Sequence, residues 1–316
     1  MLKIFQLLSS KLNNLLETYK ILFIYRSGKA IGEIFYLTSY VRKINEMDKN
    51  YKIILLINYP EIFDFNDKIF FKKKFPKNTF IKQLFIFFLK KINGKNIINF
   101  NPRYISKNED EHFLINYPKS YHMANTLGNL EIIDKNLKVE NEFFFSKQEE
   151  LNLSKKLKLP KVYALIHSES KNTFSKLKNW GHENMQEIVY SLDSTFWIQI
   201  GKSGEVKLKD LEYRFDLSIR EIAYVVKNCK FLVSNEGLFN HVASCFKKKN
   251  FMILSGMIPK EAIAYDNNIS FLKVSDLECY PCYKLNNCII GNKPCISRTS
   301  SKEVIKRIKH EFPELK

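Results

Sequence analysis

"ILFIYRSGKAIGEIFYLTSYVRKI", residues 21–44, reads as three pieces joined without a gap. Ile21 to Tyr25 is apolar, β-branched and aromatic without alternation, the pattern of a strand buried on both faces. Ile34, Leu37, Val41 and Ile44 then recur at helical spacing. Between them lie Gly28, Lys29 and Gly32, with Glu33 in the first turn of the helix. Strand, glycine-bearing loop and helix in succession is the unit from which parallel α/β sheets are built. The glycines let backbone approach a ligand. Glu33 has a plain reading, as a carboxylate complementing the helix dipole, and a chemical one, as a reactive group at a sheet edge.

The same alternation runs outward along the chain. Strands are expected at Ile21–Arg26, Tyr51–Ile57, Asn96–Phe100 and Glu142–Phe145, with helices at about 33–48, 79–92 and 119–130. A second series begins after Pro160 with "KVYALIHS". It continues through a helix at about 182–192, "TFWIQIG", a helix from Ile219, "FLVS", a helix from Leu238 and "NFMILS". Ser218 and Glu221 have the spacing of a capping box, which fixes where that helix starts. The lysine-rich residues 146 to 160 form the expected crossover, giving domains at 1–150 and 151–316. A chain of 316 residues suits two such domains. The expected fold class is α/β, with two parallel-sheet units whose strand C-terminal ends face a cleft. Ligands then belong in the loops after the strands.

Composition bounds the partners. The formal charge is +18, with 51 Lys and Arg against 33 Asp and Glu. Such a balance suits nucleic acid or an acidic membrane surface, although abundant Lys, Asn, Ile and Phe also reflect a compositional bias. "FFKKKFPKNTFIKQLFIFFLKKI", residues 70–92, clusters cations with aromatics. It reads equally as an interfacial helix on anionic lipid and as a buried helix flanked by solvated lysines. No run of 18 apolar residues predicts a membrane span. The N-terminus reads as an amphipathic helix, with Ile4, Leu7, Leu8, Leu12 and Leu15 on one side, and lacks the signature of a signal peptide. The expected location is cytoplasmic, peripheral at the inner face of the cytoplasmic membrane.

Two further loops carry candidate chemistry. "ESKNTFSKLKNWGHENMQEI" follows "YALIHS" and supplies Lys171, Lys176 and Lys178 before the next helix. Cations and hydroxyls after a strand can hold phosphate; a solvated surface loop would look the same. In "FLVSNEGLFNHVASCF" a strand feeds Asn235, Glu236 and Gly237, and a helix begins at Leu238. Its first N–H groups make an anion site, and His241 lies one turn in, as a residue shaping that site.

The order of these motifs resembles glycosyltransferase family 9, the heptosyltransferase-like enzymes of bacterial glycan assembly. The likeness is strong from about 161 to 300 and weak from about 60 to 140. "SGKAIGEIFYLTSYVRKI" is similar to the family's opening loop. "KNWGHENMQEI" is similar to its lysine-x-tryptophan motif, with Gly181 where proline is usual. "IQIGKSGE", beginning at Ile198 and including Gly201, resembles its glycine-to-glutamate segment. "DLSIREIAYVVKNCKFLVSNEGLFNHVASCF" resembles its donor-site motif. "CYPCYKLNNCIIGNKPCISRTSSKEV" resembles its cysteine-bearing C-terminal motif. The resemblance implies two Rossmann-like doubly wound domains in the GT-B arrangement, facing a cleft, and inverting transfer of a sugar, a heptose among the candidates. The donor would be a nucleotide-diphosphate sugar, and the acceptor a lipopolysaccharide-type, lipid-linked or other bacterial glycan. It implies Glu33 as the base, where Asp is commoner, and Lys178 with the Gly237 helix start as the diphosphate site. No cofactor is required for that chemistry. The chain departs from the family at Asn235-Glu236-Gly237, where an acidic residue, Ser or Thr, and Gly are usual. This departure keeps a second reading open, a family member that binds nucleotide-sugar or a partner without turnover.

Cys279, Cys282, Cys288 and Cys295 fall within one short segment. Four thiols can enclose a structural zinc or iron, or remain unligated. Cys229 and Cys245 read as core residues. A reading from another class, a basic nucleic-acid binder, accounts for charge and thiols. It does not account for the tandem strand-loop-helix units, and no RNA-recognition motif is present, so no nucleic acid is expected.

Overall fold

The computed structural model describes residues 2–28, 30–91, 96–100, 139–169, 175–284 and 287–315. They divide into two α/β units at Ser146 and Lys147. The predicted helix at 119–130 lies outside the described residues, as do Lys29 and Lys171.

The first unit opens with helix α1 (Leu2–Thr18), followed by β1 (Ile21–Tyr25), α2 (Ile31–Met47), β2 (Lys52–Ile57), β3 (Ile69–Lys74), α3 (Thr79–Lys91) and β4 (Ile97–Asn99). Its strands pair in parallel in the order β3-β2-β1-β4. Ile24 and Leu22 are buried because β1 lies inside the sheet, with α2 burying Ile34, Phe35, Leu37 and Val41. Between β3 and α3, Pro76 ends the strand and Asn78 caps the helix, its Oδ1 accepting from the N–H of Phe80 at 3.0 Å. The aromatic-cationic run is therefore an edge strand and then a helix.

Glu142–Phe145 joins no sheet, contrary to the strand expected there. Its backbone is taken by α2 instead. The Glu142 N–H donates to Thr38 Oγ1 at 2.9 Å and the Glu140 N–H to Ser39 Oγ at 3.2 Å. Phe143 stacks on Phe35, centroids 6.2 Å apart. An apolar run can satisfy its burial against a helix as well as in a sheet.

In the second unit α4 (Lys147–Leu157) occupies the expected crossover. There follow β5 (Ala164–His167), α5 (His182–Ser191), β6 (Trp197–Gly201), β7 (Glu212–Phe215), α6 (Ile219–Asn228), β8 (Leu232–Asn235), α7 (Leu238–Cys245), β9 (Asn250–Ile253), β10 (Asn268–Phe271), α8 (Pro294–Ser297) and α9 (Ser301–Glu311). The capping box at Ser218 and Glu221 is formed. All six strands are parallel, in the order β10-β9-β8-β5-β6-β7. The chain starts at β5, builds outward to β7, then returns to β8 on the other side. That is the doubly wound order, whose reversal between β5 and β8 opens a crevice beyond the strands' C-terminal ends. No helix among the described residues is long and apolar enough to cross a membrane.

Candidate functional site

Each sheet has a buried charge at the point where its strand order reverses. In the first unit this lies between β1 and β4. Arg26, one residue past β1, is 5% exposed and donates to the Phe100 carbonyl just past β4, at 3.1 Å. Its guanidinium is ion-paired with Glu33, in the first turn of α2. A Cβ at Gly28 would lie 2.7 Å from Arg26 Nη2, so a larger residue there would displace the guanidinium. The Gly28 carbonyl accepts from Asn58 Nδ2 at 2.6 Å. Gly32 sits beside Glu33 in the first helical turn. The loop thus sets a carboxylate at the sheet edge and locks it there with a cation that the sequence reading did not single out.

In the second unit the reversal lies between β5 and β8. Asn235, the last residue of β8, is buried and bridges the gap. Its Nδ2 donates to the Ser168 carbonyl at 3.0 Å, and its Oδ1 accepts from the Trp180 N–H at 3.2 Å. A carboxylate could not make the first bond, so the amide suits this position where the family's acid would leave a carbonyl unpaired. Asn235 therefore ties two loops together rather than presenting its side chain to a ligand. Gly237 follows at φ 155° and ψ −152°, a region open in practice to glycine alone, and Leu238 opens α7.

Glu236 and Lys178 meet here. Their charges pair at 2.5 Å, with Glu236 2% and Lys178 15% exposed. Ser255, just past β9, donates to Glu236 Oε2 at 3.2 Å. The carboxylate that replaces the family's hydroxyl thus has a cation and a hydroxyl of its own. Lys178 is positioned by the turn Lys176–Lys178, where Ser175 Oγ accepts from the Leu177 N–H at 3.1 Å. His241 packs behind this pair, its Nδ1 2.7 Å from the Tyr265 hydroxyl. Burial, with the Lys178 charge adding to it, lowers His241 to about 3, so at neutral pH the ring is an uncharged spacer.

Gly201 ends β6 and leaves room for Glu205, because a Cβ would collide with that carboxyl. Glu205 was not singled out from the sequence, although it closes the quoted "IQIGKSGE". Its Oε2 is buried with no hydrogen-bond partner among the described residues. Burial, reinforced by the Glu169 and Asp216 carboxylates, raises Glu205 to about 7 from an ordinary 4.5. The folded chain therefore holds this proton more tightly than the unfolded chain. The associated stability is complete below pH 4.5 and is lost as pH rises through about 7. Denaturant titrations across that window should show a steeper loss in wild type than in Glu205→Gln, and parallel profiles would reject the assignment.

The four cysteines line one pocket together with Leu177, Ser255 and Gly256. Burial first, and then the neighbouring thiols, raises Cys282 and Cys295. Among the described residues no three His, Cys, Asp or Glu are arranged to hold a metal ion.

No family model and no curated protein sequence matches the chain. Solved structures do. A glycosyl transferase family 9 protein from Veillonella parvula superposes with a TM-score of 0.62 at 13% identity, over 94% of this chain and 98% of that one. The ADP-heptose lipopolysaccharide heptosyltransferase II of E. coli gives 0.64 at 8% identity, over 93% and 99%. TibC of enterotoxigenic E. coli, a dodecameric iron-containing heptosyltransferase solved with ADP-D-β-D-heptose, gives 0.63 at 12% identity, over 93% and 76%. The likeness read from five short motifs therefore extends to the architecture: this chain has the GT-B fold of the glycosyltransferase family 9 heptosyltransferases.

Proposed function

We propose that the protein is an inverting glycosyltransferase. It moves a sugar, with heptose the leading candidate, from a nucleotide-diphosphate donor to a hydroxyl of a lipid-linked or lipopolysaccharide-type glycan. The observation that carries this reading is the meeting of Lys178 with Glu236 beside the Gly237 helix start, at the strand reversal of the second sheet. The relatives' names add support, since TibC was solved with an ADP-linked heptose.

The roles follow from chemistry. The first N–H groups of α7 point beyond the sheet edge and suit a diphosphate. Lys178 offsets the charge that develops on the leaving nucleotide, and must share itself with Glu236 to do so. Glu33 takes the proton of the attacking hydroxyl, with Arg26 fixing the carboxylate's orientation.

A second reading is favoured by a specific observation: both Glu33 and Lys178 are already charge-paired within the chain. That arrangement also suits a protein that binds nucleotide-sugar without turning it over. A thermal-shift screen against ADP-, GDP-, UDP- and CMP-linked sugars, followed by assay of nucleotide release, separates the two. Stabilisation with release supports transfer, stabilisation alone supports the binder, and no stabilisation by any donor rejects both.

A further inference from the structure

Helix α3 is apolar on two faces, and its own unit uses only one. Inward, Phe85, Ile86 and Leu89 pack with Phe75 and Tyr25. Outward, Phe80, Ile81 and Leu84 are 73%, 52% and 59% exposed. At about 100° per residue these three fall within roughly a third of the helix circumference. An amphipathic surface helix would carry polar groups there. The stripe is bracketed by cations. Lys73, Lys74 and Lys77 are exposed on the segment leading into the helix, and Lys90 and Lys91 occupy its last turn in the sequence. Edge strand β3 also exposes Phe70 and Phe71.

We propose that this outward stripe of α3 docks on an anionic phospholipid bilayer, with the aromatic and aliphatic side chains entering the headgroup boundary and the lysines meeting lipid charge. The charge pattern selects this occupant. A second copy of the chain would bring its own lysines against these, whereas an anionic surface complements them. Apolar side chains framed by lysines are the composition of helices that lie in a membrane interface. The inference rests on the first unit alone and holds whether or not the chain transfers sugar.

The test is sedimentation of the full chain with vesicles of phosphatidylcholine alone or mixed with phosphatidylglycerol. The protein should pellet with the mixed vesicles and remain in solution with the neutral ones. Phe80→Ser with Leu84→Ser should lower partitioning by about tenfold or more, without moving the melting temperature, because both side chains are exposed. Replacing Lys73, Lys74 and Lys77 by Gln should cost about fivefold for each lysine removed. Equal affinity for both vesicle types, or unchanged binding in the serine variant, overturns the proposal. So does sedimentation velocity showing a wild-type dimer that the serine variant abolishes with no vesicle binding in either, since the stripe would then join two copies.

Discussion

Glu33→Gln should lower the rate of sugar transfer by about 10²- to 10⁴-fold, the usual contribution of a general base, while donor affinity stays at its wild-type value. The two readouts separate because Glu33 belongs to the first unit and the proposed donor residues to the second. Gln is the informative replacement. Glu33 is the ion-pair partner of Arg26, which is 5% exposed. Truncation to Ala leaves a buried guanidinium without that partner, a change that costs about 3–5 kcal/mol when a buried pair is broken. Gln keeps the shape and an acceptor oxygen for Arg26. Wild-type turnover in a folded Glu33→Gln variant would show that the carboxylate only orders the loop.

The second large effect concerns Lys178 and Glu236. Lys178→Ala should destabilise the chain by about 3–5 kcal/mol, because it strands a buried carboxylate. Lys178→Met combined with Glu236→Leu should recover most of that loss, because both charges leave together. Nucleotide binding follows a different order. Both Lys178 variants should bind nucleoside diphosphate more weakly. Glu236→Ser removes a negative charge from beside the phosphates and frees the lysine, so it should bind about tenfold more tightly. Denaturant melts and nucleotide titrations on the same four proteins check both halves. Identical nucleotide affinity in wild type and Glu236→Ser would remove Glu236 from the donor site.

The parts of the fold legible in the sequence are those buried on two faces. β1, β2, β5, β6, β8 and β9 stand out as apolar runs, and they are the interior strands of their sheets. β3, β7 and β10 did not. They are three of the four edge strands, where "IFFKKK", "EYRF" and "NISF" can carry charge and polar groups without burying them; the fourth, β4, kept the apolar pair Ile97 and Ile98 and was expected at Asn96–Phe100. Glu142–Phe145 misled in the opposite sense, since it has a strand's composition but gives its N–H groups to Thr38 and Ser39. Backbone features of the site were readable: the glycine loop, the Gly237 helix start and the capping box all follow from local residue type. Pairings were not. Lys178 with Glu236 depends on which loops a parallel sheet brings side by side, and Arg26 with Glu33 on how the single loop between β1 and α2 turns. The same holds for Asn235, whose contacts reach Ser168 and Trp180. Its departure from the family pattern looked like a lost charge and is in the structure a gained hydrogen bond.

In the proposed reaction the strand reversal of the second sheet grips a nucleoside diphosphate at the start of α7. Calorimetric titration of the full chain with ADP, GDP and UDP tests it most directly, with Gly237→Val alongside. Wild type should bind one of these nucleotides saturably. The variant should lose that binding, because its side chain cannot adopt the Gly237 backbone without strain. Wild-type chain that binds none of the three, or a folded Gly237→Val chain that binds as well as wild type, would contradict it.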